Sequence, residues 1–123
     1  MNQSLKALIV DDSASMRMVL GVTLRDAGIE VLEATNGQEA FDLALKQQFD
    51  FVITDINMPK MGGIDLIKRL RDLENYRFTP ILTLTILNSD NIKQELKSIG
   101  ATGWVQKPFG PETLLKTIEK LAA

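Results

Sequence analysis

The stretch Phe51-Val52-Ile53-Thr54-Asp55 is a short apolar run that ends on a carboxylate. The chain repeats this form. Leu5 to Val10 runs out into the adjacent carboxylates of Asp11 and Asp12, and Ile81 to Leu84 into the hydroxyl of Thr85. Trp104 to Val105 leads on to the ammonium of Lys107, and Val31 to Ala34 is a further run of the same kind. Between these runs the apolar residues recur at three or four positions, as helices require. Met16, Leu20, Leu24 and Ala27 form one such stripe, with Gly28 as the stop. Asn36 is placed to cap a second helix, with Glu39 reaching back in a capping box and Ala40, Leu43 and Ala44 turned inward. A third helix starts near Gly63 and buries Leu66, Ile67, Leu70 and Leu73, and a fourth uses Ile92, Leu96 and Ile99 before Gly100. Pro111 suits the first turn of a fifth, with Leu114, Leu115, Ile118 and Leu121 on one face.

Strand followed by helix, five times over, predicts right-handed crossovers and an α/β fold: a five-stranded parallel sheet with helices on both faces, a three-layer sandwich. In such folds the site lies at the carboxyl edge of the sheet. Asp11, Asp12, Asp55, Thr85 and Lys107 would therefore meet there. A chain of 123 residues with 45% hydrophobic content suits a single domain, 1–123. No linker or output domain is visible in it.

Composition narrows the chemistry. A formal net charge of -2 lacks the concentrated basic field of a nucleic-acid or membrane-surface protein. No segment reads as a membrane span or a secretion signal, so a cytoplasmic location is expected. With no cysteine there is neither disulfide nor thiolate metal site. With no histidine, chemistry must come from carboxylates, hydroxyls, lysine or a metal.

Three carboxylates at one sheet edge repel one another, each ionised pair by on the order of 4 kcal/mol at about 4 Å and an effective dielectric of about 20. Magnesium and Lys107 would bring three positive charges against the three negative ones of Asp11, Asp12 and Asp55. Hard oxygen donors on an open edge suit that ion, which commonly bridges carboxylates to a phosphate. An isolated Asp-Asp pair is more often a helix cap, and a lone threonine or lysine at a strand end is ordinary. Their shared placement carries the inference. Beside a metal, Asp55 can act as a nucleophile toward phosphorus, with Lys107 and the Thr85 hydroxyl stabilising charge on the transferring oxygens.

The sequence resembles a response-regulator receiver domain of the single-domain chemotaxis type. The resemblance spans nearly the whole chain and rests on Val10-Asp11-Asp12-Ser13, Asp55 through Gly63, Pro80 through Thr85, and Gly103 through Phe109. It implies the flavodoxin-like arrangement of the sandwich, Asp55 as phospho-acceptor, and Asp12 and Asp55 as magnesium ligands. Asp11 would act chiefly through metal-bound water, and Asn57 would lend its backbone carbonyl. Thr85 and Lys107 would contact the phosphoryl group, and the Lys107-Pro108 bond would be cis. It further implies a sensor histidine kinase as donor and a switch that couples Thr85 to the ring of Trp104. A flagellar motor switch protein is an expected target, the protein acting as a monomer without binding DNA directly. A phosphorelay shuttle, or an interaction module that works without phosphorylation, would share most of these features.

Trp104 stands where chemotaxis members usually carry the smaller tyrosine, and a sharper departure follows Thr85. Ile86 stands where receiver domains place a small residue, followed by the apolar Leu87. Ile86 would narrow access to Asp55 and, with Leu87, offer no polar group to an attacking water. Alternatively, Ile86 turns into the helix interface and leaves the site open. Asn57 argues against a phosphohydrolase, whose chemistry needs a second acid at that place to activate the leaving group and the water.

Overall fold

Each of the five apolar runs is a strand. The computed structural model describes residues 5–86 and 89–122. The strands are β1 (Lys6–Val10), β2 (Glu30–Ala34), β3 (Phe51–Asp55), β4 (Ile81–Thr85) and β5 (Gly103–Gln106). They alternate with the helices α1 (Ala14–Asp26), α2 (Gly37–Lys46), α3 (Gly63–Asp72), α4 (Asp90–Ile99) and α5 (Pro111–Ala122). All strand pairs are parallel, in the order β2-β1-β3-β4-β5. The flavodoxin-like sandwich expected from the sequence is therefore the observed fold.

Strand alternation sorts the core into two layers. Leu8, Val10 and Val52 face one way, packing with Ala40 and Ala44 of α2 and with Leu66, Ile67 and Leu70 of α3. Ala7, Ile9, Phe51 and Ile53 face the other way, against Leu20 and Leu24 of α1 and Leu114 and Ile118 of α5. Ile99 and Ala101, at the end of α4, complete the first layer. Among the described residues no helix is long and apolar enough to cross a membrane.

The helix ends follow their capping residues. Ser13 caps α1, accepting from the Met16 amide at 3.3 Å, and Ser89 caps α4 by the same bond to Ile92. Gly28 stops α1 with a φ of 84°, a left-handed value that glycine adopts without cost. Ala27, expected in the buried stripe of α1, is exposed instead. It is the C-cap, and the chain turns away there before Leu24 can be followed by another inward position. Asn36 caps α2 by accepting from Glu39 at 2.9 Å, but the return bond from Glu39 reaches the Thr35 amide rather than that of Asn36. Asn36 is fully extended (φ -157°, ψ 171°), which lays the preceding residue alongside the first helical turn.

Two polar side chains, the buried Tyr76 and the half-buried Arg71, tie the loops at the far edge of the sheet. The Tyr76 hydroxyl donates to the Gln47 carbonyl at 2.6 Å and accepts from the Phe49 amide at 3.2 Å. Arg71, at the end of α3, donates to the carbonyls of Tyr76 and Thr79 (both 2.7 Å) and of Gly100 (2.8 Å). It thereby joins α3 to the approach to β4 and to the C-terminus of α4.

Candidate phospho-acceptor and metal site

Strand register alone brings the acidic residues together. Val10 is paired with Thr54, so Asp11 and Asp55 follow side by side, and Asp55 is itself paired with Leu84. Thr85 is paired with Gln106, which leaves Lys107 one step beyond the sheet. Two bonds extend the ladders past the strands: the Asp11 amide to the Ala34 carbonyl at 3.2 Å and the Lys107 amide to the Thr85 carbonyl at 2.8 Å.

Carboxylate oxygens of Asp11, Asp12 and Asp55 all lie within 4.8 Å of one another. Asp11 is buried, Asp55 half-buried and Asp12 exposed. The Lys107 ammonium sits 3.4 Å from Asp55 Oδ1 and 3.5 Å from Asp11 Oδ2, and its side chain is largely buried. Asp11 Oδ1 accepts from the Ser13 amide and Asp55 Oδ1 from the Ile56 amide, at 2.9 and 2.8 Å. Burial pushes the Asp55 carboxyl above the usual carboxylate range. Asp11 adds to that push, while Lys107 and the Ile56 amide oppose it.

One ammonium against three carboxylates leaves room for a divalent cation, and every side-chain donor in the cluster is a hard oxygen. The residues present therefore fit magnesium: Asp11, Asp12 and Asp55 would hold it. Asn57 lies exposed two residues beyond Asp55, in the loop before α3. Thr85 is buried at the end of β4. Lys107-Pro108 is cis, as the resemblance implies.

Trp104 is paired with Thr83, so its side chain and that of Thr85 project from the same face of the sheet. The ring is partly exposed beside α4, with the Lys93 ammonium 5.9 Å from its centroid. Asp90, Lys93, Gln94 and Lys97 line a surface cleft with it. Ile86 is 68% exposed, which removes the alternative that it is turned into the helix interface. Leu87 lies outside the described residues.

Sequence reasoning missed the part that two residues, Gly63 and Arg17, play in shaping this site. A Cβ built on Gly63 would stand 2.1 Å from the Asp55 carbonyl oxygen, so only glycine lets the start of α3 approach the end of β3 this closely. The Gly63 amide also donates to the Ile56 carbonyl at 2.8 Å. The paired Gly62-Gly63 was the available signal. The second is Arg17, whose guanidinium donates to the Asp11 carbonyl at 2.8 Å. Its partners come from two different elements, and no local pattern announces them.

A doubly wound parallel sheet with an acidic cluster and a lysine at its carboxyl edge is the arrangement that the resemblance to receiver domains implies. The family model for the response regulator receiver domain matches residues 7–119, and the chain belongs to that family. It is similar to the chemotaxis response regulator CheY4 of Vibrio cholerae, at 50% identity and a TM-score of 0.94 over 97% of this chain and 99% of that one. It is also 38% identical to the chemotaxis protein CheY-3 of Vibrio cholerae serotype O1, over 98% of this chain and 94% of the relative. The chemotaxis protein CheY of Pseudomonas aeruginosa is 38% identical over 95% of each chain. The protein is thus a receiver domain of a phosphorylation-activated signalling system.

Proposed function

We propose that this receiver domain accepts a phosphoryl group on Asp55 from the phosphohistidine of a sensor kinase and passes the signal on by protein contacts, in chemotaxis. The observation that supports this most directly is the Lys107 ammonium in reach of both Asp55 and Asp11, within a three-carboxylate cluster. An Asp55 oxygen forms the new O–P bond as the N–P bond of the donor breaks. Lys107 stands where it can take up charge on the phosphoryl oxygens, and the Thr85 hydroxyl lies at the neighbouring strand end. Bound magnesium supplies charge neutralisation between the carboxylates and the incoming phosphate. Asn57 offers no carboxylate to activate a water, which favours storing the group over releasing it. The domain is then a switch and not a turnover enzyme.

The signal would leave through the face around Trp104 and α4, since Thr85 and Trp104 share one side of the sheet. A flagellar motor switch protein suits the similarity to chemotaxis proteins. The test is phosphotransfer from candidate sensor kinases with magnesium present. Labelling of the wild type and none of Asp55→Asn supports the reading. Labelling retained in Asp55→Asn refutes the acceptor. Target binding that is indifferent to phosphorylation would instead favour a module whose acidic cluster is idle.

A further inference from the structure

Asp11 is held by more than its carboxylate. Its amide is bound to Ala34, Oδ1 to the Ser13 amide and Oδ2 to Lys107. The remaining handle is the carbonyl of the Asp11-Asp12 peptide, and it is taken by Arg17 Nη1 at 2.8 Å. Arg17 is in turn held from β2: its Nε lies 3.4 Å from Glu33 Oε1. Arg25 secures the other Glu33 oxygen, with Nη2 at 3.4 Å from Oε2. The Arg17 side chain is only 18% exposed, so it is a packed element of this turn rather than a solvated charge.

The plane of the Asp11-Asp12 peptide sets the direction in which both side chains leave the turn. Asp12 is exposed and gains no orientation from burial. We infer that Arg17, braced by Glu33, is a positioning residue for the metal-binding carboxylates, because it locks the peptide that carries Asp11 and Asp12 beside Asp55. The inference rests on the magnesium-dependent reading of the site given above. It adds to that site a guanidinium that bonds the Asp11 backbone carbonyl and Glu33.

Charge and position make opposite demands here. By charge alone, removing a cation next to an acidic cluster strengthens its hold on a divalent ion. If Arg17 works by position, its removal weakens that hold, as losing a partner that orients metal ligands generally does, by about tenfold or more. Arg17→Lys keeps the charge and one donor but cannot fork between the Asp11 carbonyl and Glu33.

The experiment is a titration of the full chain with magnesium alone, followed by NMR at the Ser13 and Ile56 amides, well below the unfolding temperature. Expected are a roughly tenfold weaker affinity in Arg17→Met, partial recovery in Arg17→Lys, and a smaller loss in Glu33→Gln. Combining Arg17→Met with Glu33→Gln should cost no more than Arg17→Met alone. Equal or tighter binding by Arg17→Met overturns the inference. Should Arg17→Met fail to fold, Arg17→Lys decides because its charge is unchanged, and wild-type affinity in that variant overturns the inference. A wild type that binds no magnesium overturns the reading of the site itself, and the inference with it.

Discussion

Asp55→Asn should stabilise the metal-free protein, and the size of the gain follows from the cluster. At 3.4 Å and an effective dielectric of about 20, Lys107 attracts ionised Asp55 by about 5 kcal/mol. At the 4.8 Å outer limit of the cluster, Asp11 and Asp12 each repel it by about 3.5 kcal/mol. Asp12 is exposed, and water screens much of its share. The opposing Coulomb energies then nearly cancel, and burial of the charged carboxylate decides the sign, consistent with its raised pKa. The asparagine should therefore stabilise the fold at neutral pH by on the order of 1 kcal/mol, which is about 3 to 6 °C in a domain of this size.

The pH dependence of that gain follows from the direction of the shift. A carboxyl raised in the folded state favours folding when protonated, so its contribution is complete below the ordinary aspartate value of about 3.9. It is lost as the pH climbs through the raised folded value. The gap between variant and wild type should be small at acid pH and full at neutrality. Thermal unfolding across pH in EDTA measures it. Magnesium should narrow or reverse the gap, because the wild type binds the ion through one more carboxylate. A gap independent of pH, or a metal-free variant less stable than the wild type at neutrality, would refute the electrostatic account.

Gly63→Val should destabilise the protein by about 1 to 3 kcal/mol, since the new Cβ meets the Asp55 carbonyl oxygen and the start of α3 must move. Denaturant unfolding gives the loss, and phosphotransfer should fall with it. Tyr76→Phe leaves the buried Phe49 amide and Gln47 carbonyl without their partner, for a loss of about 1 to 3 kcal/mol. Magnesium affinity should be unchanged, because Tyr76 lies at the opposite edge of the sheet. Ile86→Ala should speed phosphorylation by small-molecule donors and shorten the phosphoryl half-life. Equal lifetimes in the two proteins would show that Ile86, exposed beside Thr85, does not gate the site.

Much of this molecule is legible in its order of residues. Apolar runs that end on Asp11, Asp55 and Thr85 predict strands whose polar ends share an edge, because parallel strands all finish on the same side. Gly28 and Asn36 mark helix ends by bonds made within a few residues, while the cap of α1 falls on Ser13 and not on the Asp-Asp pair weighed for it. Ala27 misled the reading: periodicity continues through it, while the cap geometry that ends the stripe depends on backbone turning and not on hydrophobicity. Arg71 carries no local sign of its role, since its acceptors at Tyr76, Thr79 and Gly100 come from segments that meet only after the sheet forms.

Local sequence, then, determined the strands, the helices and the chemical kinds of group at the sheet edge, because these follow from periodicity and from short-range hydrogen bonds. Tertiary structure alone decided the distances. Lys107 reaches Asp11 across 96 positions of chain, Gly63 admits α3 against the Asp55 carbonyl, and Arg17 draws Glu33 from another strand to hold a single peptide plane. Those separations come from sheet register and packing, which no single segment encodes.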